Sequence, residues 1–348
     1  MLARPFLGKK GKRRNCASRS SGENQVSFPS RENLTVCFGH PAYRVKAAFD
    51  ALGTGIKSFE VKTFDEFERR IAEADVVVVS GFWKNNLLAK APRLKFIQSI
   101  SAGINQYDLD VLKGGGVRLA SAQGVNMNAV SDHAMSLILA MSRRLPEARD
   151  NQVRKFWRPM QGDPALREDE LAGKTLLIFG LGRIGGRLAK LAKAFDMNVI
   201  GFRRSNLSEK GHADEVHASA EFHEFLPRAD FIVLTCALTD ETRNIIDAKA
   251  LSRFKSTAYL VNTARGACVD EPALIKALRD GKIKGAALDC TVEEPLPEAS
   301  PLWSMPNVFI TPHTGGETCS YEDGIAKLLQ TNLNKIWAGD NDLVNKVV

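Results

Sequence analysis

"KTLLIFGLGRIGGRLAKLAKAF", residues 174–195, passes from an apolar run of strand character through a glycine-rich turn into apolar residues at helical spacing. Gly180, Gly182 and Gly185 stand in G-x-G-x-x-G order at the junction. In a strand–turn–helix unit the first glycine permits the tight turn, the second lets backbone approach a pyrophosphate, and the third lets helix pack on strand. The helix N-terminus adds amide donors and the positive end of a dipole. The spacing predicts a dinucleotide site, with Gly180, Gly182, Arg183, Ile184 and Gly185 around the phosphates.

The end of the next strand, about 20 residues on, reads the adenosine ribose, and an acid there accepts hydrogen bonds from the 2′-hydroxyl of NAD. Here "NVIGF" is followed by Arg203, Arg204 and Ser205, with no acid. A guanidinium fork pairs with a 2′-phosphate, which a carboxylate would repel. The predicted cofactor is NADP, with NAD as the alternative, and Arg203, Arg204 and Ser205 are its 2′-phosphate residues.

Outward from this unit, short apolar runs alternate with amphipathic segments in both directions, the rhythm of parallel sheets with helices on both faces. Ahead of it stand "LTVCFG", "FEVK", "DVVVVS" and "LKFIQSI"; after it stand "ADFIVLTCAL", "STAYLVNTARG", "IKGAALD" and "NVFITPH". Residues 126–145 predict one long helix, halted near Pro146. An irregular arm marked by Pro and Gly follows, "FWRPMQGDPALREDELAGK". A last helical segment, residues 317–337, has no strand after it and must dock on something already built. The expected class is α/β with two doubly wound parallel-sheet domains. A substrate domain is expected at 34–126, completed by 314–348, and a dinucleotide-binding domain at 127–313.

The 348 residues carry a net charge of +8. Residues 1–22 hold seven basic residues and no acid, leaving 41 basic against 40 acidic residues in the rest. A nearly neutral body argues against a nucleic-acid partner. Residues 1–33 read as a disordered basic tail, with an organelle address as the alternative. No run approaches the roughly 18 apolar residues of a membrane helix, so a cytoplasmic location is expected. Six cysteines without metal-like spacing read as reduced thiols, Cys268 and Cys290 as packing residues, and no metal is expected.

Three strands of the second half end in polar residues: "AYLVNTARG" at Arg265, "GAALDCTVEEP" through Asp289 to Glu294, and "NVFITPH" at His313. Parallel strands set their carboxyl ends along one edge, so these groups converge where the cofactor binds. A histidine can give and recover a proton near neutral pH, a carboxylate beside an imidazole favours its protonated form, and arginine matches a planar carboxylate.

With "SAGIN" at 101–105, "GLGRIG" at 180–185, "VNTARG" at 261–266, "ALDCTVEEP" at 287–295 and "TPHTGG" at 311–316, the chain resembles the D-isomer-specific 2-hydroxyacid dehydrogenases from about Leu34 to its end. The resemblance implies a Rossmann cofactor domain and a flavodoxin-like substrate domain with the cleft between, joined as a homodimer through the second unit. It implies that Arg265 holds a 2-oxo acid, His313 donates the proton, Glu294 pairs with His313, and Ala102, Gly103 and Ile104 bind the substrate carboxylate. Thr263 and Asp289 are cofactor residues by the same resemblance, Asp289 near the nicotinamide amide.

"GFWKNN" occupies the loop that the family sets over the substrate side chain; Phe82 and Trp83 are expected to form an apolar wall there. No arginine stands in it to meet a phosphate. NADPH-dependent reduction of glyoxylate or hydroxypyruvate is the first expectation. Reduction of a bulkier acid such as phenylpyruvate, or a dinucleotide-sensing corepressor-like scaffold, are the alternatives.

Overall fold

The computed structural model describes residues 28–348 and contains two parallel sheets. The first comprises β1 (Thr35–Gly39), β2 (Lys57–Val61), β3 (Val76–Val79), β4 (Phe96–Ser99) and β5 (Arg118–Ala120) in the order β2-β1-β3-β4-β5. The second comprises β6 (Thr175–Phe179), β7 (Asn198–Arg203), β8 (Glu215–Ala218), β9 (Phe231–Leu234), β10 (Tyr259–Asn262), β11 (Gly285–Leu288) and β12 (Val308–Ile310). Its order is β12-β11-β10-β9-β6-β7-β8. The first is the flavodoxin-like order and the second the dinucleotide-binding order with one added strand.

Strands covered on both faces carry uninterrupted apolar runs, because successive side chains enter opposite cores. Along β6, Leu177 and Phe179 join one core and Leu176 and Ile178 the other. In β3, Val76 and Val78 face one side while Val77 and Val79 face the opposite one. The two strands that the sequence reading omits, β5 and β8, are the short edge strands "RLA" and "EVHA". The residues of β8 are all half-buried, so the apolar signal is missing there.

The expected long helix ends sooner than its pattern suggests. Helix Met127–Ser142 stops, Arg144 turns left-handed with φ 52°, and Leu145–Val153 begins a second helix with Pro146 in its first turn. Proline needs no amide donor there, so Pro146 starts a helix where the sequence suggested a stop.

Helix Tyr321–Trp337 packs Ile325, Leu329 and Leu333 against Val36, Phe38 and Val76 of the first sheet. Asn332 Nδ2 donates to Gln98 Oε1 at 2.9 Å, a buried pair that fixes the helix on β4. The chain end then returns to β5, where Val347 N donates to Leu119 O at 2.8 Å.

The tail reading falls largely on residues 1–27, outside the described residues. Residues 28–33, assigned to that tail from sequence, instead pack on the last helix. Trp337 Nε1 donates to Pro29 O at 2.9 Å, and the Phe28 ring lies 6.3 Å from that of Trp337. An aromatic anchor with no helical or strand period around it leaves no sequence signal.

Candidate active site

The glycine turn closes the carboxyl end of β6. Gly180 adopts φ +108°, and a Cβ there would stand 2.7 Å from Cys236 N, so only glycine fits. A methyl on Gly185 would overlap the Gly180 carbonyl. Gly182 faces open space, and as N-cap of helix Arg183–Ala194 it leaves the first-turn amides without a side-chain partner. This cradle suits a dinucleotide phosphate. Ile184 is half-buried in the same first turn. The side chain of Arg183 reaches out of the unit, donating to Gln123 O and Asn345 Oδ1, each at 3.1 Å.

Gly180 N and Leu181 N donate to Phe202 O at 3.0 and 2.8 Å, so the end of β7 lies against the glycine turn. Arg203, Arg204 and Ser205 therefore stand beside the cradle. Arg204 and Ser205 are exposed. Arg203 donates to Glu209 O at 3.1 Å and lies 3.5 Å from the Glu209 carboxylate.

Three strand ends carry the polar groups expected of them. Arg265 follows β10, and its guanidinium lies so close to Gly103 that a Cβ on that glycine would collide with Nη2. This contact joins the "SAG" turn, Ala102 to Ile104, to the second sheet. Arg265 Nη1 also donates to its neighbour Ala264 O at 2.6 Å. Gly266 lies against the backbone at Thr291 too closely for any side chain. Thr291 N in turn donates to Glu294 Oε1 at 3.1 Å. The arginine turn and the glutamate loop are thus locked together.

After β12, His313 sits in left-handed backbone at φ 55°. Its Nδ1 lies 2.9 and 3.0 Å from the Glu294 carboxylate oxygens. Because a carboxylate can only accept, Nδ1 carries hydrogen, leaving Nε2 to face outward. Both side chains are about two-fifths exposed, 43% and 41%.

The two other expected cofactor residues, Thr263 and Asp289, directly follow β10 and β11. Thr263 donates its hydroxyl to Leu234 O at 3.2 Å and closes the end of β9. Asp289 is 4% exposed. It accepts from Thr311 Oγ1 at 2.6 Å, Thr314 N at 3.0 Å and Gly315 N at 3.0 Å. Burial alone would raise its pKa, but hydrogen bonds from His133 and Thr311 outweigh this and hold it below the ordinary carboxylate value.

Trp83 does not form the expected wall. It is 3% exposed, packed in the first core with its ring 6.0 Å from that of Tyr107, and Nε1 donates to Asn85 Oδ1. The apolar pattern "VVVVSGFW" gives no sign of where the strand's burial ends, and Trp83 belongs to it. Phe82 is half-buried, its ring 6.2 Å from that of Phe67. Beside the "SAG" turn stands instead a polar group: Ser80 Oγ lies 2.9 Å from Ser101 Oγ, and Gln106 Nε2 donates to Ser80 at 3.0 Å. Ser80, Ser101, Gln106 and Thr311 escape sequence reasoning because each is a single polar residue in a loop or just past a strand end, and His133 because it is a single polar residue within the helix Met127–Ser142.

Cys268 and Cys290 are buried, in keeping with packing. Cys268 nevertheless has a partner that sequence spacing could not show: Cys236 Sγ lies 4.0 Å away. The Cys236 hydrogen bond, with the Arg265 charge behind it, holds the Cys268 thiol below its ordinary value. Among the described residues no group of three or more His, Cys, Asp or Glu is arranged to hold a metal ion. No helix of the described residues is long and apolar enough to cross a membrane.

A glycine cradle at the switch of a parallel sheet, facing an arginine and a histidine–carboxylate pair, defines a nicotinamide-dependent oxidoreductase site. Residues 135–315 match the NAD binding domain of D-isomer specific 2-hydroxyacid dehydrogenase. The glyoxylate reductase of Thermococcus litoralis is 38% identical over 289 residues, covering 80% of this chain and 85% of that protein. The D-3-phosphoglycerate dehydrogenase of Methanocaldococcus jannaschii is 35% identical over 80% of this chain, which spans only 52% of its length. A solved D-isomer specific 2-hydroxyacid dehydrogenase family protein from Aeromonas salmonicida superposes with a TM-score of 0.78 at 30% identity, covering 91% of this chain and 99% of that one. The chain belongs to the D-isomer specific 2-hydroxyacid dehydrogenase family, NAD(P)-dependent enzymes.

Proposed function

We propose that the protein reduces a small 2-oxo acid, glyoxylate or hydroxypyruvate, to the D-2-hydroxy acid with NADPH. The observation that carries this reading is the meeting of Arg265 with the Gly103 turn, in the same site as the His313–Glu294 pair. Gly180, Gly182 and the first turn at Arg183 and Ile184 hold the dinucleotide phosphates, with Thr263 at the neighbouring strand end. Arg203, Arg204 and Ser205 take the 2′-phosphate, for which Arg203 releases Glu209. Bound there, the cofactor supplies hydride to the carbonyl carbon.

Arg265 pairs with the substrate carboxylate, assisted by backbone amides of Ala102, Gly103 and Ile104. As charge grows on the carbonyl oxygen, His313 Nε2 gives it a proton, and Glu294 holds the ring through Nδ1 and balances its charge. The polar Ser80, Ser101 and Gln106 cluster and the withdrawal of Trp83 into the core support a small polar substrate over an aromatic one.

The substrate domain of this reading is 34–126 with 314–348, and the dinucleotide domain is 127–313. The packing of helix Tyr321–Trp337 on the first sheet supports that division. The arm exposes Phe156, Trp157 and Met160 at 55%, 94% and 100%, and Val153, at the end of the helix before it, is 65% exposed. So much apolar surface in one stretch supports a homodimer, with two chains per particle in sedimentation.

The test is reduction of glyoxylate, hydroxypyruvate and phenylpyruvate with NADPH and with NADH, for the wild type and for Arg203→Ala/Arg204→Ala. Preference for NADPH that the double variant loses supports the phosphate clamp. A wild type that prefers NADH, or that prefers phenylpyruvate, refutes the corresponding half of the proposal.

A further inference from the structure

Asp289, Thr311 and His133 form a polar knot beside His313 that the proposed chemistry leaves without a task. The Asp289 carboxylate is buried, and all three of its firm donors come from the five residues 311–315: the Thr311 hydroxyl at 2.6 Å and the amides of Thr314 and Gly315, each at 3.0 Å. An ionised carboxylate only accepts, so Thr311 Oγ1 must give its hydrogen to Asp289. The lone pairs of that hydroxyl then face His133 Nε2 at 2.9 Å, which requires hydrogen on Nε2. The same nitrogen lies 3.2 Å from Asp289 Oδ1. His133 comes from helix Met127–Ser142, Asp289 from the end of β11, and Thr311 from the end of β12. Three elements thus grip one turn.

His313 is the middle residue of that turn, and its positive φ is uncommon for a side chain with a Cβ. Such a conformation persists only where its surroundings over-determine it. Here the determinants are visible. Thr311 is fixed on the near side, Thr314 and Gly315 on the far side, and His313 N donates to Thr311 O at 2.9 Å across Pro312. A Cβ on Gly315 would stand 2.6 Å from Asp289 Oδ2 and 2.9 Å from His133 Cδ2, so the glycine is what lets its amide reach the carboxylate.

We propose that Asp289, Thr311 and His133 are positioning residues that set the turn 311–315 and thereby aim His313 at the substrate carbonyl. Asp289 acts on the chain, beside the nicotinamide contact that family resemblance implies. The inference rests on His313 as proton donor. A proton donor displaced by about an ångström loses on the order of a hundredfold in rate, while cofactor affinity, set at the glycine cradle, stays as it was.

The experiment compares Thr311→Val, which removes the hydroxyl, with Thr311→Ser, which keeps it, in the full chain. Readouts are kcat, KM for glyoxylate and the Kd of NADPH from its fluorescence, with His313→Ala as reference. The expected result for Thr311→Val is a kcat lower by about a hundredfold, with the NADPH Kd within a few-fold of wild type and kcat restored by Thr311→Ser. Should Thr311→Val fail to fold, the half-buried member of the knot serves: His133→Phe lowers kcat and His133→Gln, which keeps a donor, restores it. A raised NADPH Kd with kcat intact would make the knot a device for cofactor binding alone and overturn the proposal. So would a fully active Thr311→Val beside an inactive His313→Ala, which leaves the function standing. An active His313→Ala overturns both.

Discussion

Replacing Glu294 by Gln separates what the His313–Glu294 pair does for stability from what it does for catalysis. The two side chains meet at 2.9 and 3.0 Å. Because they are 43% and 41% exposed, solvent screens their attraction, and the pair contributes no more than about 1 kcal/mol to folding. Glutamine has the same shape and still accepts from Nδ1–H through its amide oxygen. What it lacks is the negative charge that balances the protonated ring as His313 approaches the carbonyl oxygen. Loss of an oriented acid–base partner costs roughly 10² to 10⁴-fold in rate. The expected outcome is a melting temperature within a degree or two of wild type and kcat/KM for glyoxylate lower by at least about a hundredfold. The assays are thermal unfolding by circular dichroism and steady-state oxidation of NADPH. A variant that keeps kcat/KM within a few-fold refutes the assigned role, and one that loses activity and melting temperature together shows the pair to be structural.

Gly103→Ala places a methyl against the far end of the Arg265 side chain; the guanidinium can move aside, so KM for the 2-oxo acid rises several-fold while the melting temperature holds. Gly266→Ala has no such escape, because the methyl meets the backbone at Thr291. A cost of about 1–3 kcal/mol lowers the melting temperature by several degrees, and an unchanged melt contradicts the packing. The depressed pKa of Asp289 gives a signed pH effect: its contribution to stability is present above its unfolded value near 3.8 and is lost as pH falls through the lower folded value. Asp289→Asn, which cannot titrate, therefore melts with a flatter acid limb than wild type; parallel limbs contradict the assignment.

Much of this architecture was legible because each signal had a local physical cause. The runs in β3 and β6 are apolar throughout because both faces are covered, and the glycine spacing is imposed by close backbone approaches at Gly180 and Gly185. Arg265, Glu294 and His313 stood out as polar residues at the ends of apolar strands. Trp83 misled because an aromatic residue after a strand looks the same whether it lines a pocket or completes a core. The edge strand β5, three residues long, is too short to carry a period, and β8 is half-buried throughout and lacks an apolar run. Pro146 is ambiguous in principle, since proline either ends a helix or opens one. The Asp289–Thr311–His133 knot lay out of reach for a different reason: its members are 22 to 178 positions apart in sequence, and only the fold brings them together.

The central claim is that this chain reduces a 2-oxo acid with a proton from His313. Its most direct test is consumption of NADPH in the presence of glyoxylate by wild type and His313→Ala at equal concentration, with NADPH affinity measured on both. The account predicts steady turnover by the wild type and a variant that binds NADPH as tightly but turns over at least about a hundredfold more slowly. Equal rates for the two proteins would contradict it.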